Sequence, residues 1–305
     1  MNKLQANLCL LCVTLCWSTE VIIFACIPDN VLPFATTSIT SSVAAVILAF
    51  CFFKRIKTEM RRAGKQILLR CLFLGLLKCG YDVLYLYGLN MFDVTSGAFT
   101  ISLTVVVMPF LLLILRKKVT LKIWISVALI LSGILFALIG NITPDQLWGV
   151  ALMLGGGVVR SFFIIKLNDF AKEYDSVTLS VWVSVISAVF SFIIWLILQP
   201  ATFGAIEWNG IIICSLFIYA YFIAAFAQTL NIFAQRRATA SGATIIYSLE
   251  IVFSLTWSTV LPGNVVDHAV PNLFQIIGAA FIVAGSLFEL FDFRHKRRLN
   301  HDTAE

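Results

Sequence analysis

The sequence predicts an all-α integral membrane protein with ten transmembrane helices, arranged as two inverted five-helix repeats with both termini in the cytoplasm. Three observations predict this fold: the composition, the recurrence of long apolar runs, and the positions of the basic residues. Of the 305 residues, 60% are hydrophobic and only 12% are charged, whereas soluble domains are about a quarter charged. The mean hydropathy is +0.95. This composition favours a polytopic membrane protein over a soluble domain.

Apolar runs that are long enough to cross a bilayer recur along the whole chain. A transmembrane helix needs about 20 predominantly apolar residues, and ten such runs are predicted, numbered here as segments 1 to 10 in chain order. They cover approximately residues 5–26, 32–53, 66–89, 94–115, 120–140, 147–166, 176–198, 208–232, 239–261 and 271–291. Segment 1 is followed by further spans and lacks a small-residue cleavage pattern, so we expect a retained helix and not a signal peptide.

The basic residues predict the topology. They cluster near Lys3 and in residues 54–70, 116–122, 166–172, 236–237 and 294–298. These clusters are every second connection and both ends of the chain, whereas the other connections hold no Lys or Arg at all. Because cytoplasmic loops carry the positive excess, both termini are expected to face the cytoplasm. The formal net charge of +6 is therefore a topology signal and does not predict a nucleic-acid surface.

Two short patterns recur between the halves of the chain. Leu89-Asn90 ends segment 3 and Leu230-Asn231 ends segment 8. Segment 5 holds Ser126-Val127-Ala128 and then Ser132-Gly133, and segment 10 holds Gly278-Ala279-Ala280 and then Ala284-Gly285-Ser286, so small residues recur at the same internal spacing. Both patterns relate segment n to segment n+5. Because five is odd, two such sets of crossing helices have opposite orientation, as in many transporters. The predicted domains are a first repeat, a second repeat and a basic, polar cytoplasmic tail, at residues 1–140, 141–293 and 294–305.

Several stretches carry motifs in a characteristic order. They are Trp17-Ser18-Thr19, residues 98–109, residues 127–133, residues 174–179, Ser248-Leu249-Glu250-Ile251 and residues 277–285. In this order and spacing they resemble the EamA-type, ten-helix branch of the drug/metabolite transporter superfamily, over nearly the whole chain. The chain departs from the family pattern at Ile251, where proline is usual, and at Arg160, where tryptophan is common. The resemblance implies a transporter with segments 1, 3, 4, 6, 8 and 9 around a central cavity.

Five ionisable side chains lie inside the predicted spans. They are Glu20, Lys78, Asp82, Arg160 and Glu250. An ionisable residue at a helix centre costs about 3 kcal/mol and usually faces a cavity or a partner. All five fall on segments that the family resemblance places around the cavity, so we predict that they form a substrate- or proton-binding site. Nearby aromatic side chains can add cation–π contacts to an ammonium group, and the candidates are Trp17, Tyr81, Tyr85, Tyr247 and Trp257.

Each charge also has a purely structural interpretation. Lys78 and Asp82 are four residues apart and can neutralise each other on one helix face, and Tyr81 and Tyr85 on that face can simply be packing residues. Arg160 can form a fixed ion pair with one of the two glutamates, or bind a substrate anion directly. Glu250 can hydrogen-bond across the interface between the repeats.

Pairing the charges in this way leaves one carboxylate over, which is expected to be protonated or bound to a cation. Glu20 is the leading candidate for this role. Residues 17–22, with Glu20 followed by Val21-Ile22, resemble the first helix of the small multidrug resistance exporters of the same superfamily. In those proteins, a first-helix glutamate followed by Val-Ile binds a proton or a cationic drug.

The leading functional hypothesis is a secondary active transporter in the cytoplasmic (plasma) membrane that moves a small organic metabolite by alternating access with proton coupling. The substrate is expected to be an amine or other organic cation, or an amino acid whose carboxylate binds Arg160. The expected partners are this small molecule, protons and the lipid bilayer, with homodimer formation left open and no nucleic acid, cofactor or metal.

The sequence also allows three alternatives to a carrier. An uncoupled facilitator or channel and a non-transporting membrane sensor both stay open. An intramembrane enzyme is the least favoured, because His268, His295 and His301 all fall in a connection or the tail. The chain has no P-loop for direct use of ATP.

Overall fold

The computed structural model describes residues 2–27, 31, 33–89, 91, 102, 104–138, 143–204, 206–260 and 271–290. Helices dominate these residues and none of them is in a β-strand. An α-helix is the expected secondary structure of an apolar segment in lipid, because a helix hydrogen-bonds each backbone N–H and C=O within the segment itself. Part of segment 4 (residues 94–101), the three histidines and the predicted tail lie outside the described residues.

Helices lie in all ten predicted segments. In the first half they are α1 (Lys3–Ser18), α2 (Glu20–Ala25), α3 (Pro33–Ala63), α4 (Lys65–Leu89), α5 (Thr104–Ile114) and α6 (Leu121–Leu138). In the second half they are α7 (Leu147–Glu173), α8 (Ser176–Leu198), α9 (Gly210–Gln235), α10 (Ala240–Tyr247), α11 (Leu249–Val260) and α12 (Leu273–Leu290). A π-helical stretch, Tyr219–Ala227, interrupts α9.

Six described helical stretches are long and apolar enough to cross a membrane. They are Phe34–Ala63, Leu121–Leu138, Leu147–Glu173, Ser176–Leu198, Gly210–Gln235 and Ala240–Trp257. Helix α4 has 25 residues, but it carries the charged residues Lys65, Arg70, Lys78 and Asp82. Three shorter apolar helices lie in segments 1, 4 and 10.

Helix α3 extends beyond its predicted span. The basic stretch from Lys54 was predicted to be a connection, but it is helical up to Ala63 and follows a kink at Phe52 (φ −123°, ψ 24°). Tertiary contacts explain the extension. Arg55 pairs with Asp175 at 2.5 Å, and the backbone N–H of Asp175 donates to Glu59 Oε1 at 3.2 Å. Hydrophobic periodicity does not reveal such contacts, so the prediction of this boundary was wrong.

Helices α6 and α12 show why small residues recur in segments 5 and 10. A Cβ atom on Gly133 would lie 2.5 Å from the carbonyl oxygen of Gly278, and a Cβ atom on Gly285 would lie 2.8 Å from that of Ser126. Small residues of this kind let helix backbones approach closely in a membrane. The contacts pair 133 with 278 and 126 with 285, so the two helices run antiparallel.

Helices α3 and α8 also pack against each other in antiparallel orientation. Ser38 Oγ donates to the carbonyl oxygen of Ala188 at 3.4 Å, and Arg55 lies beside Asp175 at the other end. Segments 2 and 7 are therefore antiparallel, as are segments 5 and 10. Because both pairs relate segment n to segment n+5, the described helices have the pattern that inverted repeats predict.

Replacing Gly133 with alanine is expected to destabilise the protein by about 1–3 kcal/mol, because a methyl group overpacks the contact with α12. Gly155 is the matched control, since a Cβ atom there meets nothing within 4 Å. The thermal unfolding midpoint in detergent should fall for Gly133→Ala and stay level or rise for Gly155→Ala. Equal midpoints for the two variants would contradict the close contact.

The main apolar cluster lies between α1, α4, α5, α7, α8, α9 and α10. Its largest fully buried members include Leu10, Ile67, Leu74, Phe163 and Leu167. Most of these side chains lie toward the ends of the helices that are predicted to face the cytoplasm. The polar residues of segments 1, 3 and 6 lie further along the same helices, toward the predicted outer side.

Candidate functional site

One cavity of about 90 Å³ lies between α2, α4, α7, α9 and α11 and is called the site cavity here. That volume holds several water molecules or a small solute group. Its polar and aromatic lining consists of Trp17, Glu20, Lys78, Tyr81, Asp82, Tyr85, Arg160, Tyr219, Gln228 and Glu250. The structure therefore brings all five ionisable residues of the predicted spans to one cavity, together with three of the predicted aromatic residues.

Glu20 enters the site cavity at a break in the first segment. The hydroxyls of Ser18 and Thr19 donate to the carbonyl oxygens three residues earlier, both at 2.7 Å. Such side-chain bonds compete with the helical pattern, and α1 ends at Ser18 while α2 begins at Glu20. The Glu20 carboxylate accepts a hydrogen bond from the Tyr219 hydroxyl at 2.9 Å. Within the described ranges, no Lys or Arg nitrogen lies within 4 Å of it.

Lys78 and Asp82 form an ion pair along α4. Lys78 is 9% exposed, so its ammonium group depends on this partner and on the cavity for compensation. The ring of Tyr81, on the same helix face, packs against Phe163 at 5.3 Å and Tyr85 at 6.0 Å between centroids. Lys78 and Asp82 thus neutralise each other, as their spacing allows, and the side chains of both residues also line the site cavity.

Arg160 is held by aromatic rings and one carboxylate. Its guanidinium carbon lies 5.2 Å from the ring centroid of Trp17, 5.7 Å from that of Tyr85 and 5.8 Å from that of Tyr247. Such distances allow cation–π attraction. Nη2 lies 4.0 Å from Glu250 Oε2. Of the two glutamates considered from the sequence, the structure therefore places Glu250 and not Glu20 beside Arg160.

The glycine run of α7 lets the rings of α4 approach. A Cβ atom on Gly156 would lie 2.8 Å from the ring of Tyr85, and one on Gly157 would lie 3.2 Å from Thr104 Oγ1, whereas Gly155 meets nothing. The Tyr85 hydroxyl and Thr104 Oγ1 are hydrogen-bonded at 2.6 Å. Because Gly156 and Gly157 have no side chain, Tyr85 and Thr104 can pack closely against α7, and this packing orients Tyr85 toward Arg160.

Tyr247 lies beside the site cavity rather than in its lining. It shares an adjoining smaller pocket with Arg160 and Glu250, and its ring centroid lies 5.0 Å from that of Trp17. Its hydroxyl accepts from Gln235 Nε2 at 2.9 Å and donates to Asn231 Oδ1. The buried Asn231 is the asparagine of the Leu-Asn pattern in segment 8, and its counterpart Asn90 lies outside the described residues.

The structure adds residues that sequence reasoning missed. Tyr219 and Gln228 line the site cavity from α9, and neither carries a charge or a motif that could have singled it out. Tyr219 opens the π-helical stretch, which changes the direction of the side chains relative to a regular helix and frequently occurs at functional sites. Trp257 is placed elsewhere, where its indole N–H donates to Ser18 Oγ at 2.9 Å.

Comparisons with known proteins agree with the two-repeat architecture. The model of the EamA-like transporter family matches residues 4–139 and again residues 147–291. A solved structure described only as "Crystal structure of protein" is similar to this chain with a TM-score of 0.72, covering 97% of this chain and 98% of that chain at 17% sequence identity. A likeness at this identity concerns the fold alone. Comparison with curated proteins gave no match.

Proposed function

Because this chain belongs to the EamA-like transporter family and is thus a membrane transporter, we propose that it is a proton-coupled secondary carrier of a small amine or other organic cation. The observation that carries the proposal is the environment of Glu20. Two of the three carboxylates in the site cavity have a cationic neighbour: Asp82 lies beside Lys78, and Glu250 lies beside Arg160. Glu20 has only the Tyr219 hydroxyl among the partners found in the described residues.

Charge balance in the site cavity favours a cation. With all groups ionised, three carboxylates (Glu20, Asp82 and Glu250) and two cations (Lys78 and Arg160) give −3 + 2 = −1. A carboxylate inside a membrane span without a counter-ion is unfavourable, so either a proton or a cationic substrate is expected to neutralise Glu20. Since both neutralise the same group, they exclude each other, and this exclusion is the physical basis of coupled exchange.

Aromatic rings support the binding of an ammonium group. Trp17, Tyr81 and Tyr219 line the site cavity together with Glu20, and rings of this kind attract cations through their electron-rich faces. An ammonium group on the Glu20 side would therefore meet a carboxylate and aromatic faces in the same small volume. Lys78 and Arg160 repel it less strongly than their charges suggest, because each has its own carboxylate neighbour.

A zwitterionic amino acid is the second candidate substrate. It is favoured by the contact between Arg160 and Glu250, whose 4.0 Å separation is longer than a charge-assisted hydrogen bond of about 2.7–2.9 Å. A substrate carboxylate could take the place of this loose contact on Arg160, while the substrate ammonium group lies near Glu20. A decarboxylated amine lacks the first of these two contacts, so the two candidate classes can be separated experimentally.

The proposed topology has ten spans in the plasma membrane with both termini in the cytoplasm. It is supported by the basic residues of every second connection and by the antiparallel packing of α6 with α12 and of α3 with α8. Inverted repeats that pack around a site near the midplane allow alternating access by rocking of one repeat against the other. The central position of the site cavity between segments of both repeats fits this mechanism.

Reconstitution into liposomes with an imposed pH gradient tests the proposal. Each amino acid of a panel is compared with its decarboxylated amine, and proton movement is followed with an internal pH dye. We expect amine-dependent proton movement that scales with the gradient. Substrate flux without proton movement would identify a facilitator instead, and preference for the amino acid over its amine would select the second candidate.

A further inference from the structure

A second, basic concavity lies at the ends of α7 and α9, away from the site cavity. We propose that this basic cleft, formed by Lys172, Phe233, Arg236 and Arg237, binds the phosphate headgroup of an anionic phospholipid. It has a volume of about 510 Å³, large enough for a headgroup. The inference concerns lipid binding and does not depend on the substrate or the coupling ion of the carrier.

The three cations of the basic cleft have no acidic partner in the described part of the chain. None of Lys172, Arg236 and Arg237 has a carboxylate oxygen within 4 Å there. The nearby acid Asp169 is engaged by Lys117 at 3.2 Å. Lys172 Nζ instead donates to the neutral side chain of Asn168, at 2.9 Å from Oδ1. The concavity therefore gathers uncompensated positive charge, which an anion would balance.

A buried asparagine positions all three cations. Asn168 is 6% exposed, and its Nδ2 donates to the carbonyl oxygens of Gln235 and Ala238, both at 2.8 Å. These two carbonyls flank Arg236 and Arg237 in the chain, so one side chain fixes the turn that presents both arginines. The same asparagine holds Lys172 through its oxygen. Such preorganisation lowers the entropy lost when a ligand binds.

Exposed phenylalanines on α9 favour a lipid over a soluble anion. Phe222, Phe226 and Phe233 are 50%, 51% and 40% exposed, on a helix that is long and apolar enough to span a membrane. Phe233 also lines the basic cleft itself. An acyl chain can lie along these rings while its phosphate meets the arginines directly after the helix. Basic pockets between transmembrane helices on the cytoplasmic side are known to bind anionic headgroups.

Native mass spectrometry of the full chain, incubated with phosphatidylglycerol or phosphatidylcholine in detergent, tests the proposal. We expect wild-type protein to retain phosphatidylglycerol preferentially. The double variant R236Q/R237Q should reduce its retention by roughly ten- to thirty-fold, since each basic residue near an anionic surface contributes about 1 kcal/mol. The control K57Q/K118Q removes the same charge from two other exposed residues and should leave retention unchanged. Equal retention by wild type and R236Q/R237Q would overturn the proposal.

Three further measurements separate a built lipid site from general attraction and from a soluble-anion site. Asn168→Ala keeps all three charges and is expected to lose the preference for phosphatidylglycerol. If Asn168→Ala does not fold, the R236Q/R237Q variant, whose substitutions are at exposed positions, still tests the proposal. R236K/R237K keeps both positive charges and, unlike R236Q/R237Q, should retain most of the preference for phosphatidylglycerol. Inorganic phosphate is the soluble competitor, and its displacing phosphatidylglycerol at equal concentration would identify a soluble-anion site and overturn the lipid assignment.

Discussion

Glu20→Gln is expected to abolish proton-coupled transport while leaving the protein folded. Glutamine keeps an acceptor for the Tyr219 hydroxyl but carries no charge to bind a proton or a cation. Losing the carboxylate that would pair with a bound cation costs about 2–5 kcal/mol, so coupled flux should fall by at least roughly 30-fold. The measurement is substrate-dependent proton movement in liposomes over a range of external pH.

Glu207→Gln is the matched control for this variant. Glu207 is exposed in the connection before α9, in a part of the chain predicted to lie outside the membrane, so its loss should not change the flux. Thermal unfolding of both variants checks that each one folds. Wild-type pH dependence in Glu20→Gln would remove Glu20 from the mechanism, whatever the substrate proves to be.

Lys78→Ala is expected to be the most destabilising of the site variants. Removing one partner of a buried ion pair costs about 3–5 kcal/mol, because the other charge is left without compensation. Asp82 would be the charge left without a partner. Because Asp82 lines the site cavity and is not enclosed on all sides, the loss of stability is expected near the lower end of this range. The measurement is the thermal unfolding midpoint in detergent, together with transport in liposomes.

The double variant Lys78→Ala with Asp82→Asn distinguishes a structural pair from a substrate contact. If the pair serves to neutralise itself, removing both charges should restore most of the stability and flux lost in the single variant. If both variants are stable and lose transport to the same extent, the pair acts directly on the substrate. Lys78 and Asp82 would then join Glu20 as binding residues.

Much of the architecture follows from the sequence. A bilayer admits few backbone conformations, and this made the helical segments predictable from apolar length alone. The resemblance to the EamA-type transporters is confirmed by the family model, which matches both halves. Small residues such as Gly133 and Gly278 were recognised as a repeated pattern because close backbone packing excludes larger side chains. The charges of the spans were singled out because burying a charge in lipid is unfavourable.

The pairing of those charges was decided only by tertiary structure. The sequence left both Glu20 and Glu250 open as partners for Arg160, and the structure places Glu250 beside it. The neighbour of Glu20, Tyr219, lies 199 positions away on a π-helical stretch that no residue pattern announces. Periodicity describes which side chains share a face of one helix, whereas a partner on another helix depends on packing distances and rotations. The sequence alone therefore determined the apolar segments and the set of charges within them, and packing determined which carboxylate has no cation beside it in the described structure.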